Sequence, residues 1–159
     1  MKKTLRAALT AAFAATALSA WAQVPVYGNA VNLDQAKKAM AAAQAEARKQ
    51  GWPVAIAIVD NHGMLVAYER MDNTQTASVQ VSIDKAVSAA MYRRPTKVFQ
   101  DLVAGGGAGT RVLNLRGASS VEGGLPLVVD GKLIGGIGVS GVNSDQDGVV
   151  AKAGADATK

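Results

Sequence analysis

The chain has one histidine, His62, and no cysteine. His62 belongs to the segment 60–63. This segment separates two apolar segments, so it is expected to form a turn. A neutral imidazole can ligate haem iron, so His62 is a candidate metal-binding residue, although a histidine in a turn is also often simply solvated. The lack of cysteine excludes disulfides, thiolate-bound zinc, iron–sulfur clusters and a cysteine nucleophile. A single histidine excludes any multi-histidine metal site within one subunit.

Two clusters of basic residues follow in the second half of the chain: Arg93, Arg94 and Lys97, then Arg111 and Arg116. Guanidinium groups bind carboxylates through paired hydrogen bonds, which suits the propionates of haem or a small organic acid. Basic clusters are also common on ordinary solvated surfaces, and spacing alone does not show that they converge. Both interpretations, a carboxylate-binding site and a solvated face, remain open.

Two glycine-rich segments resemble nucleotide-binding loops at first sight. Gly136, Gly138 and Gly141 match G-x-G-x-x-G, but only 18 residues follow Gly141, whereas the dinucleotide fingerprint needs a helix and an acidic residue about 20 positions later. Residues 105–109 lack the lysine and hydroxyl residue that end a phosphate-binding loop. We expect the first group to allow close approach of another backbone or a flat ligand to a strand, and the second to form a flexible loop.

Ser140, Asp145 and Asp147 resemble parts of two other motifs. Ser140 is one residue short of the G-x-S-x-G nucleophile elbow and has only His62 as a possible base, so a hydrolase triad is not expected. Asp145 and Asp147 resemble the start of a calcium-binding loop, but no glutamate follows Glu122. We expect the two aspartates to stabilise the first turn of a helix.

The elements that must position these residues are helices and hairpins in alternation. Spacing of apolar residues by three and four, with Asn32 as a cap, predicts helices over residues 32–50, 79–94, 96–103 and 145–157. Apolar runs flanking short turns predict two hairpins, over residues 54–71 and 125–139. The first strand of the first hairpin is apolar on both faces, so we expect it to be buried on both sides.

This order of elements predicts a single α+β domain with an antiparallel sheet covered by helices. Aromatic residues make up only 4% of the chain, so its core must consist mainly of small alanine, valine and isoleucine side chains. Such a core buries little area per residue. We therefore expect self-association.

The first 22 residues are typical of a secretory signal peptide. Three basic residues precede the 12-residue apolar run 7–18 and the small-residue pattern A-W-A at 20–22, and that run is too short to span a bilayer. Cleavage after Ala22 leaves a domain over residues 23–159 and lowers the number of basic residues from 17 to 14, against 12 acidic residues. Neither nucleic-acid binding nor stable membrane insertion is then expected, and the protein is placed in the periplasm or outside the cell.

Six short motifs follow one another along the chain: A-I-V-D-N-H-G at 57–63, Y-E-R-M-D at 68–72, K-A-V-S-A at 85–89, R-R-P-T at 93–96, G-G-L-P-L-V-V-D-G at 123–131 and I-G-G-I-G-V-S-G at 134–141. Together they resemble the GlcG/HbpS family of haem-binding proteins over nearly the whole expected mature chain. The resemblance implies a profilin-like α-β-α domain and dimer-based homo-oligomers such as tetramers or octamers. It also implies haem binding, with redox or haem-degrading behaviour.

The resemblance, together with the residue types, gives seven candidate ligand-binding residues: His62, Tyr68, Arg70, Arg93, Arg94, Thr96 and Ser140. His62 is the expected haem iron ligand. With one histidine, bis-histidine haem is impossible within a subunit. Five-coordinate haem, a tyrosine or methionine ligand, or a ligand from a neighbouring subunit are the alternatives.

Two functions are consistent with these residues. The first is an exported, oligomeric haem-binding protein acting in haem sequestration, sensing or breakdown, with His62 or a tyrosine at the iron and arginines at the propionates. The second is an enzyme or binding protein for a small organic acid, in which Arg70, Arg93 or Arg94 clamps a carboxylate and Asp60 or His62 transfers a proton. A third interpretation, an oligomeric scaffold without a ligand, needs no site.

Overall fold

The computed structural model describes residues 24–159, so the predicted signal peptide lies outside the described residues. The elements follow one another in this order: β1 (Val26–Tyr27), α1 (Leu33–Gln50), β2 (Ala55–Asp60), β3 (Leu65–Arg70), α2 (Ser78–Tyr92), α3 (Thr96–Ala104), a 3-10 helix (Gly107–Asn114), β4 (Gly124–Val129), β5 (Lys132–Ser140) and α4 (Ser144–Asp156). Within this part of the chain, no helix is both long enough and apolar enough to cross a membrane.

The ends of α1 are determined by local sequence. Asn32 and Gln35 form a capping box in which each side chain accepts a hydrogen bond from the backbone N–H of the other, an arrangement that stabilises a helix by about 1 kcal/mol. Gly51 ends the helix in the left-handed conformation, with φ of 70°. The prediction of a helix over residues 32–50 with Asn32 as its cap is confirmed.

The sheet is built around β5, which pairs antiparallel with β4 on one side and with β2 on the other, and β2 pairs antiparallel with β3. Both predicted hairpins are present, and β2 is buried along almost its whole length, as expected. The short strand β1 was not predicted. It pairs in parallel with the first residues of β5, and because both of its residues are exposed, it has no alternating apolar pattern that the sequence could reveal.

Helices cover both faces of the sheet, which gives the predicted α-β-α arrangement. On one face, α1 and α4 pack against isoleucine and valine side chains of β2 and β5, including Ile56, Ile58 and Ile137. On the other face, α2 packs through Ala86 and Ala90 against small side chains of β2. Burying each isoleucine or valine contributes about 1.5–3 kcal/mol.

Two glycines of β5 explain how α2 lies so close to the sheet. A Cβ atom at Gly138 would lie well under 3.0 Å from the Ser82 carbonyl oxygen. A Cβ atom at Gly136 would also lie under 3.0 Å from the carbonyl oxygen of Ala86. Only glycine leaves room for the backbone of α2 at these positions. The G-x-G-x-x-G pattern therefore serves close approach of another backbone, one of the two expectations for it.

A buried ion pair joins α2 to the first turn of α4. Lys85, 1% exposed, donates hydrogen bonds to the Asp147 carboxylate at 2.8 Å and to the Val139 carbonyl oxygen at 2.9 Å. Burial raises the pKa of the Asp147 carboxyl group, and the hydrogen bond from Lys85 offsets part of this rise. The expectation that Asp147 stabilises the first turn of a helix is therefore incomplete, because its charge is also paired with Lys85 inside the fold.

The glycine-rich segment after α3 is also more ordered than expected. Residues 105–109 were predicted to form a flexible loop, but a 3-10 helix begins at Gly107. Gly106 and Gly107 have φ of 66° and 54° and redirect the chain after α3. Val112 is buried, which holds the 3-10 helix against the domain.

Candidate functional site

A cleft of about 670 Å³ lies between residues 24–26, the junction of α2 with α3, and the β4–β5 hairpin. We call it the Arg cleft. Seven of its ten lining residues are valine or proline, and two are arginine: Val24, Pro25, Val26, Arg93, Arg94, Pro95, Val98, Pro126, Val128 and Gly131. Its volume lies in the range of about 300–1,000 Å³ that is typical of small-molecule sites.

Arg93 ends α2 in an unusual backbone conformation. It is the C-cap residue, with φ of 54° in the left-handed region, where a residue other than glycine is disfavoured by about 1–2 kcal/mol. Its guanidinium group lies 5.0 Å from the centroid of the Tyr27 ring and donates a hydrogen bond to the Pro25 carbonyl oxygen at 3.3 Å. The backbone conformation would favour glycine here. The contacts of the arginine side chain with Tyr27 and Pro25 offset part of this cost.

Arg94 is held in the same cleft by different contacts. Its Nε donates to the Tyr92 carbonyl oxygen at 3.1 Å, and its guanidinium carbon lies 5.8 Å from the centroid of the Phe99 ring. Among residues 24–159, no carboxylate forms an ion pair with Arg93 or Arg94. Two fixed positive charges at an apolar cleft are suited to an anionic group on a largely apolar ligand.

A second cleft, of about 450 Å³, contains His62. It is lined by Tyr27, Gly28, Asn61, His62 and Met91, and we call it the His62 cleft. Hydrogen bonds hold the turn that carries His62: the Asp60 carboxylate accepts them from the backbone N–H groups of His62 at 2.8 Å and Met64 at 2.9 Å. The imidazole itself is exposed.

The two clefts adjoin at β1 but are not one cavity. Tyr27 lines the His62 cleft and Arg93 lines the Arg cleft. The guanidinium group of Arg93 lies over the Tyr27 ring, so these two residues join the clefts. The structure thus brings His62, Arg93 and Arg94 to the same end of the domain, with the Tyr27–Arg93 contact between them.

Four other predicted site residues line neither of these clefts. Thr96 is buried, and its hydroxyl group accepts a hydrogen bond from the Gly124 N–H at 2.9 Å. The hydroxyl group of Ser140 bonds to that of Ser78 at 3.0 Å inside the fold. Tyr68 packs against the small side chains beneath α2, and Arg70 is exposed at the end of β3.

The remaining basic residues are also separate from the two clefts. Lys97 pairs with Asp101 at 2.8 Å on the exposed side of α3, and Arg111 and Arg116 are exposed on and after the 3-10 helix. Among residues 24–159, there is no group of three or more His, Cys, Asp or Glu side chains that could hold a metal ion. Of the two basic clusters, only Arg93 and Arg94 therefore lie together at one of the two clefts, and Lys97, Arg111 and Arg116 lie on exposed surfaces.

Comparison with protein families decides which kind of domain this is. Residues 31–156 match the family described as "Haem degrading protein HbpS-like". The chain belongs to this HbpS-like family. The family resemblance and the α+β fold with a helix-flanked sheet are thereby confirmed.

The chain is also similar to individual proteins, one by sequence and two by solved structure. Protein GlcG of Escherichia coli strain K12 is 43% identical over 101 residues, which cover 64% of this chain and 74% of GlcG. The crystal structure of HbpS superimposes with a TM-score of 0.74 at 31% identity, covering 82% of this chain and 92% of that one. The crystal structure of a PduOC:heme complex gives a TM-score of 0.72 at 29% identity, covering 80% and 94%.

Four residues of the His62 cleft in this HbpS-like domain were not among the sequence candidates: Tyr27, Gly28, Asn61 and Met91. Tyr27 belongs to a strand too short for any periodic signal. Met91 is one of the apolar residues whose spacing predicted the helix, so nothing marked it as a site residue, and its side chain is exposed. Asn61 precedes His62 in the D-N-H-G turn, so its place in a recognised motif is the one signal that could have identified it.

Proposed function

We propose that this protein binds haem at the Arg cleft and the adjoining surface of Tyr27 and His62. The observation that carries the proposal is an apolar cleft bearing two guanidinium groups that no carboxylate of residues 24–159 neutralises. Haem is a flat apolar ring with two carboxylates on one edge, so the walls and charges of the cleft match it. The haem complex of the relative PduOC supports the same ligand.

Different residues would contact different parts of haem. The valine and proline side chains of the Arg cleft would exclude water from the porphyrin, and Arg93 and Arg94 would pair with its propionates. His62 offers an exposed imidazole on a turn that Asp60 holds in place. Bound haem supplies a redox-active iron, and sequestration, sensing or breakdown of haem are the roles we propose for the complex.

Replacing Arg93 with glycine tests the proposal with little risk to the fold. We expect haem affinity to fall about 10- to 100-fold, the equivalent of one charged hydrogen bond. We expect the free energy of unfolding to stay within about 1 kcal/mol of the wild-type value, because glycine suits the left-handed backbone. Titration with haemin, followed by the Soret band, measures the first quantity, and urea denaturation measures the second.

Arg111→Ala is the matched control for Arg93→Gly. It removes one positive charge from an exposed position on the 3-10 helix, so a general electrostatic effect on haem binding would appear in both variants. Equal haem affinity in wild type and Arg93→Gly would contradict the proposed site. A wild-type spectrum that stays that of free haemin would contradict the proposed function.

A small organic acid is the second ligand that the two guanidinium groups favour. Such an acid would use Arg93 and Arg94 as a clamp without needing the apolar walls. Thermal denaturation with a panel of hydroxy and keto acids separates the two ligands. Stabilisation by one of these acids, with no response to haemin, would favour the acid.

We also propose that the protein is exported and assembles into homo-oligomers. Export is supported by the basic, apolar and small-residue segments at the N-terminus. Assembly is supported by exposed apolar side chains of β1, of the β2–β3 hairpin and of the end of α2: Val26, Tyr27, Met64, Leu65 and Met91.

Native mass spectrometry of protein recovered from the periplasm of an expressing bacterium tests export and assembly together. We expect a subunit that begins at Gln23 and a particle whose mass is an even multiple of that subunit. An uncleaved N-terminus would contradict the export proposal. A cleaved chain that remains a monomer at micromolar concentration would contradict only the assembly proposal.

A further inference from the structure

Asn61 has a buried oxygen atom for which the described part of the chain, residues 24–159, provides no hydrogen-bond partner. The side chain is 8% exposed, and its Nδ2 donates a hydrogen bond to the Gly28 carbonyl oxygen at 2.7 Å. Its Oδ1 accepts no hydrogen bond from any donor of residues 24–159. Exchanging the two amide atoms would place two acceptors 2.7 Å apart, so the Gly28 carbonyl fixes the orientation and makes the unpartnered atom an acceptor.

An unpartnered buried acceptor is costly. Leaving one without a hydrogen bond destabilises a protein by about 1–3 kcal/mol, and such atoms are few in native structures. Asn61 lines the His62 cleft together with Tyr27, His62 and Met91. The missing donor is therefore to be sought in this cleft or in what the cleft binds.

The imidazole of His62 carries a donor of the required kind. A histidine that binds a metal through one ring nitrogen nearly always donates its other ring N–H to an acceptor, which orients the ring and strengthens it as a ligand. Asp60 Oδ1 and the Gly28 carbonyl oxygen already accept backbone or amide N–H groups, whereas Asn61 Oδ1 is a buried acceptor that no donor of residues 24–159 fills.

We propose that Asn61 is a positioning residue for His62: when His62 ligates haem iron, its second ring N–H donates a hydrogen bond to Asn61 Oδ1. This inference rests on the proposed haem function and deepens it, because it assigns the iron to the His62 side of the site. A neutral amide acceptor gives the imidazole less anionic character than a carboxylate would give it. The iron potential of the complex is therefore set in part by residue 61.

The test is a redox titration of the haem-loaded wild type, Asn61→Asp and Asn61→Leu. A stronger acceptor favours ferric iron, so we expect the reduction potential to be lowest in Asn61→Asp, intermediate in the wild type and highest in Asn61→Leu. The expected change is about tenfold in the ferric-to-ferrous ratio at a fixed potential for each substitution, which is ~59 mV for a one-electron couple. Val149→Ala, a change at an exposed apolar side chain of α4 that lines neither cleft, is the control and leaves the potential unchanged.

A merely structural role for Asn61 would change stability or haem affinity without this order of potentials, and that result would overturn the inference. A haem spectrum unaffected by His62→Ala would also overturn it, while haem binding at the Arg cleft would stand. Failure of the wild type to bind haem would overturn the inference together with the proposed function.

Discussion

Lys85→Met is expected to lower the free energy of unfolding by about 3–5 kcal/mol. Methionine fills nearly the same volume but removes the charge, so the buried carboxylate of Asp147, 2% exposed, loses its counter-ion. An unpaired buried charge is far more costly than a lost contact. Since a small domain is stable by only about 5–15 kcal/mol in total, this single change removes a large part of its stability. Urea denaturation measures the effect.

A double variant separates the charge from the packing. Lys85→Met/Asp147→Leu removes both charges of the pair, and replacing a whole buried pair by apolar side chains is often neutral or stabilising. We expect the double variant to recover most of the stability that Lys85→Met loses. If Lys85→Met unfolds at the wild-type urea concentration, the pair does not have the energetic role assigned to it.

Gly138→Ala is expected to destabilise the protein by about 3 kcal/mol or more. The added Cβ would lie well under 3.0 Å from backbone atoms of Ser82 and Ala86 in α2, and backbone cannot move aside as the end of a side chain can. The helix must therefore shift away from the sheet. Because α2 ends at Arg93, we also expect weaker haem binding in this variant.

Gly105→Ala is the matched control for Gly138→Ala. Gly105 ends α3 with φ of −71°, and the nearest atom to an added Cβ would be the Asp101 carbonyl oxygen at 3.5 Å, which is an ordinary contact. Its expected effect is within about 0.5 kcal/mol. Thermal denaturation compares the two variants, and equal melting temperatures would show that α2 does not pack on Gly138 as described.

Structural features that depend on a short stretch of sequence could be predicted from the sequence alone. The capping box at Asn32, the apolar periodicity of α1 and α2, and the turns of both hairpins depend on residues that are near one another in the chain. The strand β1 could not be predicted, because its two residues depend on pairing with β5, more than 100 positions later.

The sequence could predict the types of residue in the candidate site but not how the fold arranges them. Arg93, Arg94 and Lys97 were identified as one basic cluster, and the structure places the two arginines, but not the lysine, at one apolar cleft. Thr96 and Ser140 belong to the same set of motifs, yet their hydroxyl groups are used inside the fold. The pairing of Asp147 with a lysine 62 positions earlier leaves no local signal, and so helix capping was the expectation that the sequence favoured.

The central claim is that haem binds with its propionates at Arg93 and Arg94. A crystal structure of the haemin complex, with the iron located by anomalous scattering, tests it most directly. We predict an iron peak at the end of the domain where the two clefts adjoin, with propionate oxygens within hydrogen-bonding distance of both guanidinium groups. An iron peak on a surface that neither cleft touches, or propionates that contact only solvent, would contradict the claim.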